Sequence, residues 1–362
     1  MIENISFSRE NSNFLNELKE RIDDYFKSNN LTHYANNAMK MKLVLMTLLY
    51  ILGYLSIFWV DGNHFFIYLL YAFLGAWSVF LGLNIGHDAA HNAIFKRRKD
   101  NQTLLMVFDL LGTNSYNWVN RHLGAHHVYP NIMNYDSDIQ QTSVVKIFPK
   151  DRHRIYHRFQ HLYMPVVYML YIFRWVLYRD FKDAFSKRIG VFDNSNYPKK
   201  QLVQMIFFKL FYLFQFIVLP VLVLKLSWLF ALSAFFLLTV LGSLVITFVL
   251  LSTHVGEDAQ FPEPNENNEL PHSWSYHQVL TASDFGKSNP FILTLFGGFN
   301  FHVIHHLCPH ICHIHYPELT KILVETCQKY NYPYRSKKYL ISAVISHFRL
   351  LSKNSKTAIT VQ

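Results

Sequence analysis

Charge is scarce in this sequence, and cysteine scarcer. Only 16% of its 362 residues are Asp, Glu, Lys or Arg, against about a quarter in an ordinary soluble domain. Long stretches therefore carry nothing that favours water. The three cysteines, Cys308, Cys312 and Cys327, include no CxxC pair, so a disulfide framework is not indicated. Internal repeats and low-complexity tracts are also missing. Residues 1–40 are polar, carry acids and lack a small-residue cleavage site. The first apolar stretch is therefore expected to insert in a membrane and stay.

What the chain has instead is apolar length. Apolar blocks almost free of charge run over residues 41–60, with Lys42 at its edge, and 65–85, then over 202–224, broken only by Lys209, and 226–251. Each reaches the roughly 20 residues a helix needs to cross a bilayer core. None leaves the polar face a soluble helix would need. The expected fold is an all-α integral membrane protein with four transmembrane helices in two hairpins. The turns at 61–64 and around Lys225 are too short to hold a domain. The segment 1–40 and a helical cap formed by 86–200 and 252–362 then share the opposite face. Of 34 Lys and Arg residues, all but Lys209 and Lys225 fall on that face, which the positive-inside rule makes cytoplasmic. This accounts for much of the net charge of +10 without a nucleic-acid partner. It can also attract anionic headgroups or an acidic redox protein.

Shorter apolar patterns are read separately. Phe14, Leu15, Leu18, Ile22, Tyr25 and Phe26 recur at helical spacing, as in an amphipathic helix lying on the protein or on the membrane. The stretches 104–111 and 165–178 read as interfacial or re-entrant helices, and the acidic, proline-bearing 257–269 as a surface loop.

Histidine carries the chemistry. There are twenty, and three windows concentrate them: His87 with His91; His122 with His126 and His127; His302 with His305 and His306. At this histidine density a given three-histidine pattern should arise by chance only about 0.06 times in such a chain. Residues three and four apart share a helix face, so His87 and His91 can reach one metal together. His122 and His126 align in the same way, while His127 is turned by about 100 degrees and can serve a second metal. His302, His305 and His306 are expected to act as one cluster. Neutral imidazole suits iron, copper and zinc, and its outer nitrogen can be held by a carboxylate. Asp88, Asp136 and Asp138 are the candidates for that. His33, His64, His153, His157, His161, His272 and His277 stand alone and read as ordinary packing or surface residues.

At these windows the sequence resembles the membrane fatty acid desaturases. The pattern HDxxH, then HxxxHH, then a final xxxHH matches them from about residue 40 onward. GHDAAHNAIF (86–95), FDLLGTNSYNW (108–118), HHVYPNIMNYDSDI (126–139) and GGFNFHVIHHLCPHICHIHYPEL (297–319) look more narrowly like the front-end, linoleoyl-CoA-type enzymes. The resemblance implies two iron ions and O2 as co-substrate. It also implies a cis double bond placed in an acyl chain carried by CoA or lipid. It gives His254, in Ser252-Thr253-His254-Val255 just after the last span, a place in the metal shell. Nine candidate ligands result: His87, His91, His122, His126, His127, His254, His302, His305 and His306. That many neutral ligands suit two irons with four or five each. Cys308 and Cys312 read as packing residues, since thiolates make poor company for an oxidising iron site. His310, His313 and His315 are assigned structural or supporting roles, and Tyr116 and Trp118 are candidates for an acyl tunnel.

Two departures stand out. His302 replaces the glutamine usual in front-end enzymes, and no His-Pro-Gly-Gly signature of a fused cytochrome b5 domain is present. Electrons are then expected from a separate ferredoxin, or from a free cytochrome b5 with its reductase. A bacterial inner membrane suits the sequence before an endoplasmic reticulum. The nearest rival is a membrane hydroxylase, ketolase or acetylenase with the same boxes. A transporter or metal-storage protein would instead place ionisable groups within its spans.

Overall fold

Residues 5–9, 13–60 and 62–356 are described by the structure, a computed structural model. Asp61, in the first short turn, and the remainder of the 1–40 segment (residues 1–4 and 10–12) lie outside the described residues, as do residues 357–362. The chain is mostly helical. In order, the helices used below are α1 (Phe14–Ser28), α2 (Asn37–Ser56), α3 (His64–Ala90), α4 (Ser115–Arg121), α5 (Lys199–Leu224), α6 (Trp228–Leu251), α7 (Trp274–Thr281), α8 (His302–Leu307), α9 (Tyr316–Tyr330) and α10 (Leu340–Lys356). Strands are limited to two-residue pairings, such as Asp284↔Ser336.

Four helices, α2, α3, α5 and α6, are long and apolar enough to cross a membrane. Asparagine or serine begins three of them. The side chain of Asn36 accepts from the backbone N–H of Met39, Asn63 from Phe65 and Phe66, and Ser227 from Phe230. Helix α2 turns Met41, Val44, Leu45, Leu48 and Leu52 outward while burying Met39, Leu43 and Met46. An apolar stripe of that length needs a lipid cover. Helices α3 and α6 approach so closely that a Cβ on Gly75 would sit 2.1 Å from the Leu238 carbonyl oxygen. Small residues permit this contact. The few polar side chains of α6 return to their own backbone, Ser243 Oγ donating to Thr239 O at 2.6 Å and Thr247 Oγ1 to Ser243 O at 2.7 Å.

The helix built on the second apolar block runs past residue 85. Helix α3 passes through a π turn at Gly82–Gly86 and continues to Ala90, so His87 and Asp88 ride on the spanning helix itself. The glycines make room: a Cβ on Gly86 would meet the Phe108 ring at 2.7 Å. The amphipathic face of α1 is covered by protein. Phe14, Leu18, Ile22 and Phe26 join Leu319, Leu323 and Cys327 of α9 in one core cluster, and the Phe14 ring stacks on Tyr332 at 3.9 Å. Residues 165–178 break after Tyr168, resume at Tyr171–Arg174 and enter a second π turn, Trp175–Arg179. This broken segment lies against α6, where Ile172 N–H donates to Ser243 Oγ at 2.9 Å.

Candidate metal centre

The nine sequence-nominated histidines are all buried, and they fall into two groups. The larger contains His87, His91, His122, His127 and His305; the smaller contains His126, His254, His302 and His306. Within each group the nearest ring nitrogens all lie within 4.8 Å of one another. The groups adjoin, since the His127 ring stacks on His306 with centroids 4.4 Å apart.

The division differs from the one helical spacing implies. His122 pairs with His127, whereas His126 belongs to the other group. The cause is a π turn, His122–His126, continuing from α4, in which His127 N–H bonds His122 O at 2.9 Å. An i→i+5 bond brings residues five apart onto one face and rotates the residue four on away from it. The third box also divides. His302 and His306, one turn apart on α8, face the smaller group, and His305 faces the larger.

Inward nitrogens stand remarkably near one another for uncharged rings. In the larger group His122 Nε2 lies 3.2 Å from His87 Nε2 and 3.1 Å from His127 Nε2, and His127 Nε2 is 3.0 Å from His305 Nε2. In the smaller, His254 Nε2 is 3.0 Å from His306 Nε2 and 2.8 Å from His302 Nε2.

Five of the outward nitrogens have their own partners. His126 Nδ1–H donates to Asp136 at 2.9 Å, and His122 Nδ1 lies 3.3 Å from Asp138. His306 Nδ1 donates to Gln278 Oε1 at 2.8 Å, and His254 Nδ1 to the Thr281 carbonyl at 2.9 Å. His305 Nδ1 meets the Tyr316 hydroxyl at 3.2 Å. A proton held outward leaves the inward nitrogen with its lone pair. Gln278, Thr281 and Tyr316 carry no motif that would have revealed these roles. Asp136 is the most heavily engaged carboxylate, also accepting from the N–H groups of Asn131, Asp138 and Ile139 at 2.9–3.1 Å.

Burial, reinforced by neighbouring histidines, pushes His91, His122, His127, His302, His305 and His306 well below the usual imidazole range. The same causes bring His254 to about 3. His126 departs from this. Burial would lower it, but the Asp136 carboxylate outweighs burial and raises it.

Asp88 sits farther from a ligand than expected. Its Oδ1 is 3.8 Å from His87 Nδ1, while Oδ2 accepts from His313 Nδ1 at 2.8 Å and His313 N at 3.2 Å. Asp88, Cys312 and His313 form a third cluster of metal-binding residue types. The aspartate is already taken by His313, and Lys42 Nζ stands 3.3 Å from the free nitrogen of that ring. Trp118 packs on the His122 ring at 4.4 Å, whereas Tyr116 packs away from the histidines, on Tyr197. His277 anchors the loop after box two through the Pro130 carbonyl at 2.9 Å.

A family model described as fatty acid desaturase matches residues 63–338. The chain belongs to the fatty acid desaturase family. It is 30% identical over 345 residues to the sn-1 linoleoyl-lipid 6-desaturase of Arthrospira platensis, covering 94% of this chain and 92% of that one. A Synechocystis protein of the same name is 30% identical over 372 residues, covering 98% and 99%. The acyl-lipid (8-3)-desaturase B of Dictyostelium discoideum is 31% identical over 362 residues, covering 95% of this chain and 76% of that one. These relatives support the front-end resemblance.

The residues of this desaturase fit metal binding. Donors about 2.1 Å from a common centre and at right angles lie about 3 Å apart, close to the spacing of the inward nitrogens. Two neutral imidazole lone pairs facing each other at that distance repel, unless a proton or a cation lies between them. His91 Nε2 is buried with no hydrogen-bond partner among the described residues, as a nitrogen reserved for a metal would be.

Proposed function

We propose that this chain is an oxygen-dependent desaturase of acyl lipids, with the nine histidines holding a pair of iron ions. The observation that carries the reading is the division of nine buried histidines into two adjoining groups, each with its nitrogens turned inward. Bound irons would supply the oxidising power, with O2 as co-substrate, needed to take two hydrogens from neighbouring methylenes. The protein's part is to hold and orient. Asp136, Asp138, Gln278 and the Thr281 carbonyl hold the proton on the outer nitrogen of His126, His122, His306 and His254, and Tyr316 orients His305. Burial keeps bulk water from the site, and Trp118 on the His122 ring supplies an apolar wall against which an acyl chain can rest.

The same reading sets the membrane arrangement. Two hairpins, α2–α3 and α5–α6, cross the bilayer and place the histidines with the basic cap on the cytoplasmic side. Two electrons per turnover come from a separate donor, a ferredoxin or cytochrome b5. A lipid-linked substrate and front-end regioselectivity are favoured by the activities for which the relatives are named. The exception is His302, which stands where front-end enzymes usually carry glutamine.

The test is gas chromatography–mass spectrometry of lipids from a host that expresses the chain and is supplied with linoleate, beside a His305→Ala control. A new double bond between the existing one and the carboxyl end, absent from the control, is the expected result. Hydroxylated or ketonic products would assign the chain to an oxygen-inserting branch. No new product with a competent electron donor present would overturn the acyl-lipid reading.

A further inference from the structure

One spanning helix brings a charge into the interior. Lys209 of α5 is buried, and its Nζ donates to Asp180 Oδ2 and to the Gly112 carbonyl, each at 2.9 Å. Asp180 is fully buried and lies 3.6 Å from the guanidinium of Arg121, which is buried as well. Arg121 also bonds Asp183, and its Nε is 3.7 Å from Asp138. Arg179 approaches the same Asp138 oxygen, Oδ1, at 3.5 Å. Asp138 in turn faces His122 Nδ1 at 3.3 Å. Three cations and three carboxylates thus form one charge-balanced chain, buried at Lys209, Asp180, Arg121 and Arg179 and partly buried at Asp183 and Asp138, from a membrane helix to a histidine of the larger group.

Balance is the point of the arrangement. Asp180 accepts from Asn114 N–H at 2.8 Å and Trp175 Nε1–H at 3.1 Å, but only two cations, Lys209 and Arg121, offset its charge, and Arg121 is shared among Asp180, Asp183 and Asp138. Without Lys209, Asp180 would be a buried carboxylate short of a partner and would draw Arg121 toward itself. Asp138 would then lose one of the guanidiniums that hold it beside His122. A ligand whose outer nitrogen is poorly held binds its metal more weakly.

We propose that Lys209 is a positioning residue for the larger histidine group, acting through Asp180 and Arg121 on the Asp138–His122 contact. The inference rests on the metal-binding reading above. It requires the smaller group to be largely spared, because His126 is held by Asp136, which pairs with none of these cations and meets the chain only through the Asp138 backbone N–H.

The test uses the full-length protein purified in detergent and loaded with 57Fe(II). Iron release to a chelator is followed by elemental analysis, and Mössbauer spectra distinguish the two centres. Wild type should hold two irons per chain. Lys209→Met should release one of them at least about tenfold faster, with the spectrum of the other unchanged. In Lys209→Met/Asp180→Asn the stray carboxylate is gone, and release should return to within about threefold of wild type. A merely structural role would weaken both centres together and would not be rescued by the second substitution. If Lys209→Met does not fold, Arg121→Lys, which keeps the charge but shortens its reach, should give the same one-sided loss. Wild-type retention in these variants, or equal loss from both centres, would overturn the inference while leaving the metal reading intact. Wild type that holds no iron would overturn both.

Discussion

Replacing Asp136 by asparagine keeps the shape of the side chain and removes its charge. The carboxylate is fully buried and accepts four hydrogen bonds, from His126 Nδ1–H and from the N–H groups of Asn131, Asp138 and Ile139. The amide can keep its oxygen on Asp138 and Ile139 N–H, but its NH2 then points at His126 and Asn131. Two hydrogen bonds to a charged group are lost, at roughly 1.5–3 kcal/mol each. Asn131 N–H is left facing another donor. His126 has a way out, which is to move its proton to Nε2 and accept from the new amide. That tautomer has no lone pair for a metal. Iron at the smaller group should therefore bind about 10–100-fold more weakly, a loss of roughly 1.4–2.8 kcal/mol. Thermal stability of the iron-free protein should fall as well. Chelator-release kinetics with Mössbauer detection, and thermal unfolding in detergent, measure the two effects separately. Wild-type iron retention at the smaller group in Asp136→Asn would refute the reasoning, and so would a loss confined to the larger group.

Three further expectations follow from the same geometry. His302→Gln, which restores the residue usual in front-end enzymes, should keep measurable product and part of its iron because an amide oxygen can still donate, whereas His302→Leu should lose both; product analysis with iron counts decides. Acidification should empty the smaller group first, because Asp136 outweighs burial and raises His126 above the ordinary 6.5, so its proton competes with metal as pH falls through that raised value, while burial holds the ligands of the larger group lower; iron retention titrated from about pH 8 to about pH 5 shows the order. Gly75→Ala should destabilise the protein by about 1–3 kcal/mol, since its Cβ would sit 2.1 Å from the Leu238 carbonyl oxygen, with Gly53→Ala, which meets side-chain atoms of Phe73 and Leu74 and no backbone, as the milder control in thermal unfolding.

The long apolar helices and the clustering of the histidines could be read from sequence because both rest on local signals. A run of some 20 apolar residues has one common destination, and histidines repeated at short spacing have few reasons to recur. The division of those histidines was not legible, because it depends on a π turn. Nothing in His-Leu-Gly-Ala-His-His announces that residue 122 will bond residue 127 rather than residue 126. The reach of the second long helix was not legible for a similar reason, since α3 continues through Gly82–Gly86 and carries His87 on the same helix. Asp136 and Asp138 were found because they lie near box two. Asp88 was placed by the same adjacency, but its carboxylate turns to His313, 225 residues away along the chain. Gln278, Thr281 and Tyr316 escaped notice because a single glutamine, carbonyl or phenol has no spacing to recognise. Lys209 registered only as an interruption in an apolar block; its partners, Asp180 and Gly112, meet it only in the folded chain.

The most direct test of the account is a metal count on the purified wild-type protein with Mössbauer spectra of the 57Fe-loaded form. The account requires two irons per chain in nitrogen-rich surroundings that are not identical, one for each histidine group. A chain that folds yet binds a single iron, or none under reducing and iron-replete conditions, would contradict it.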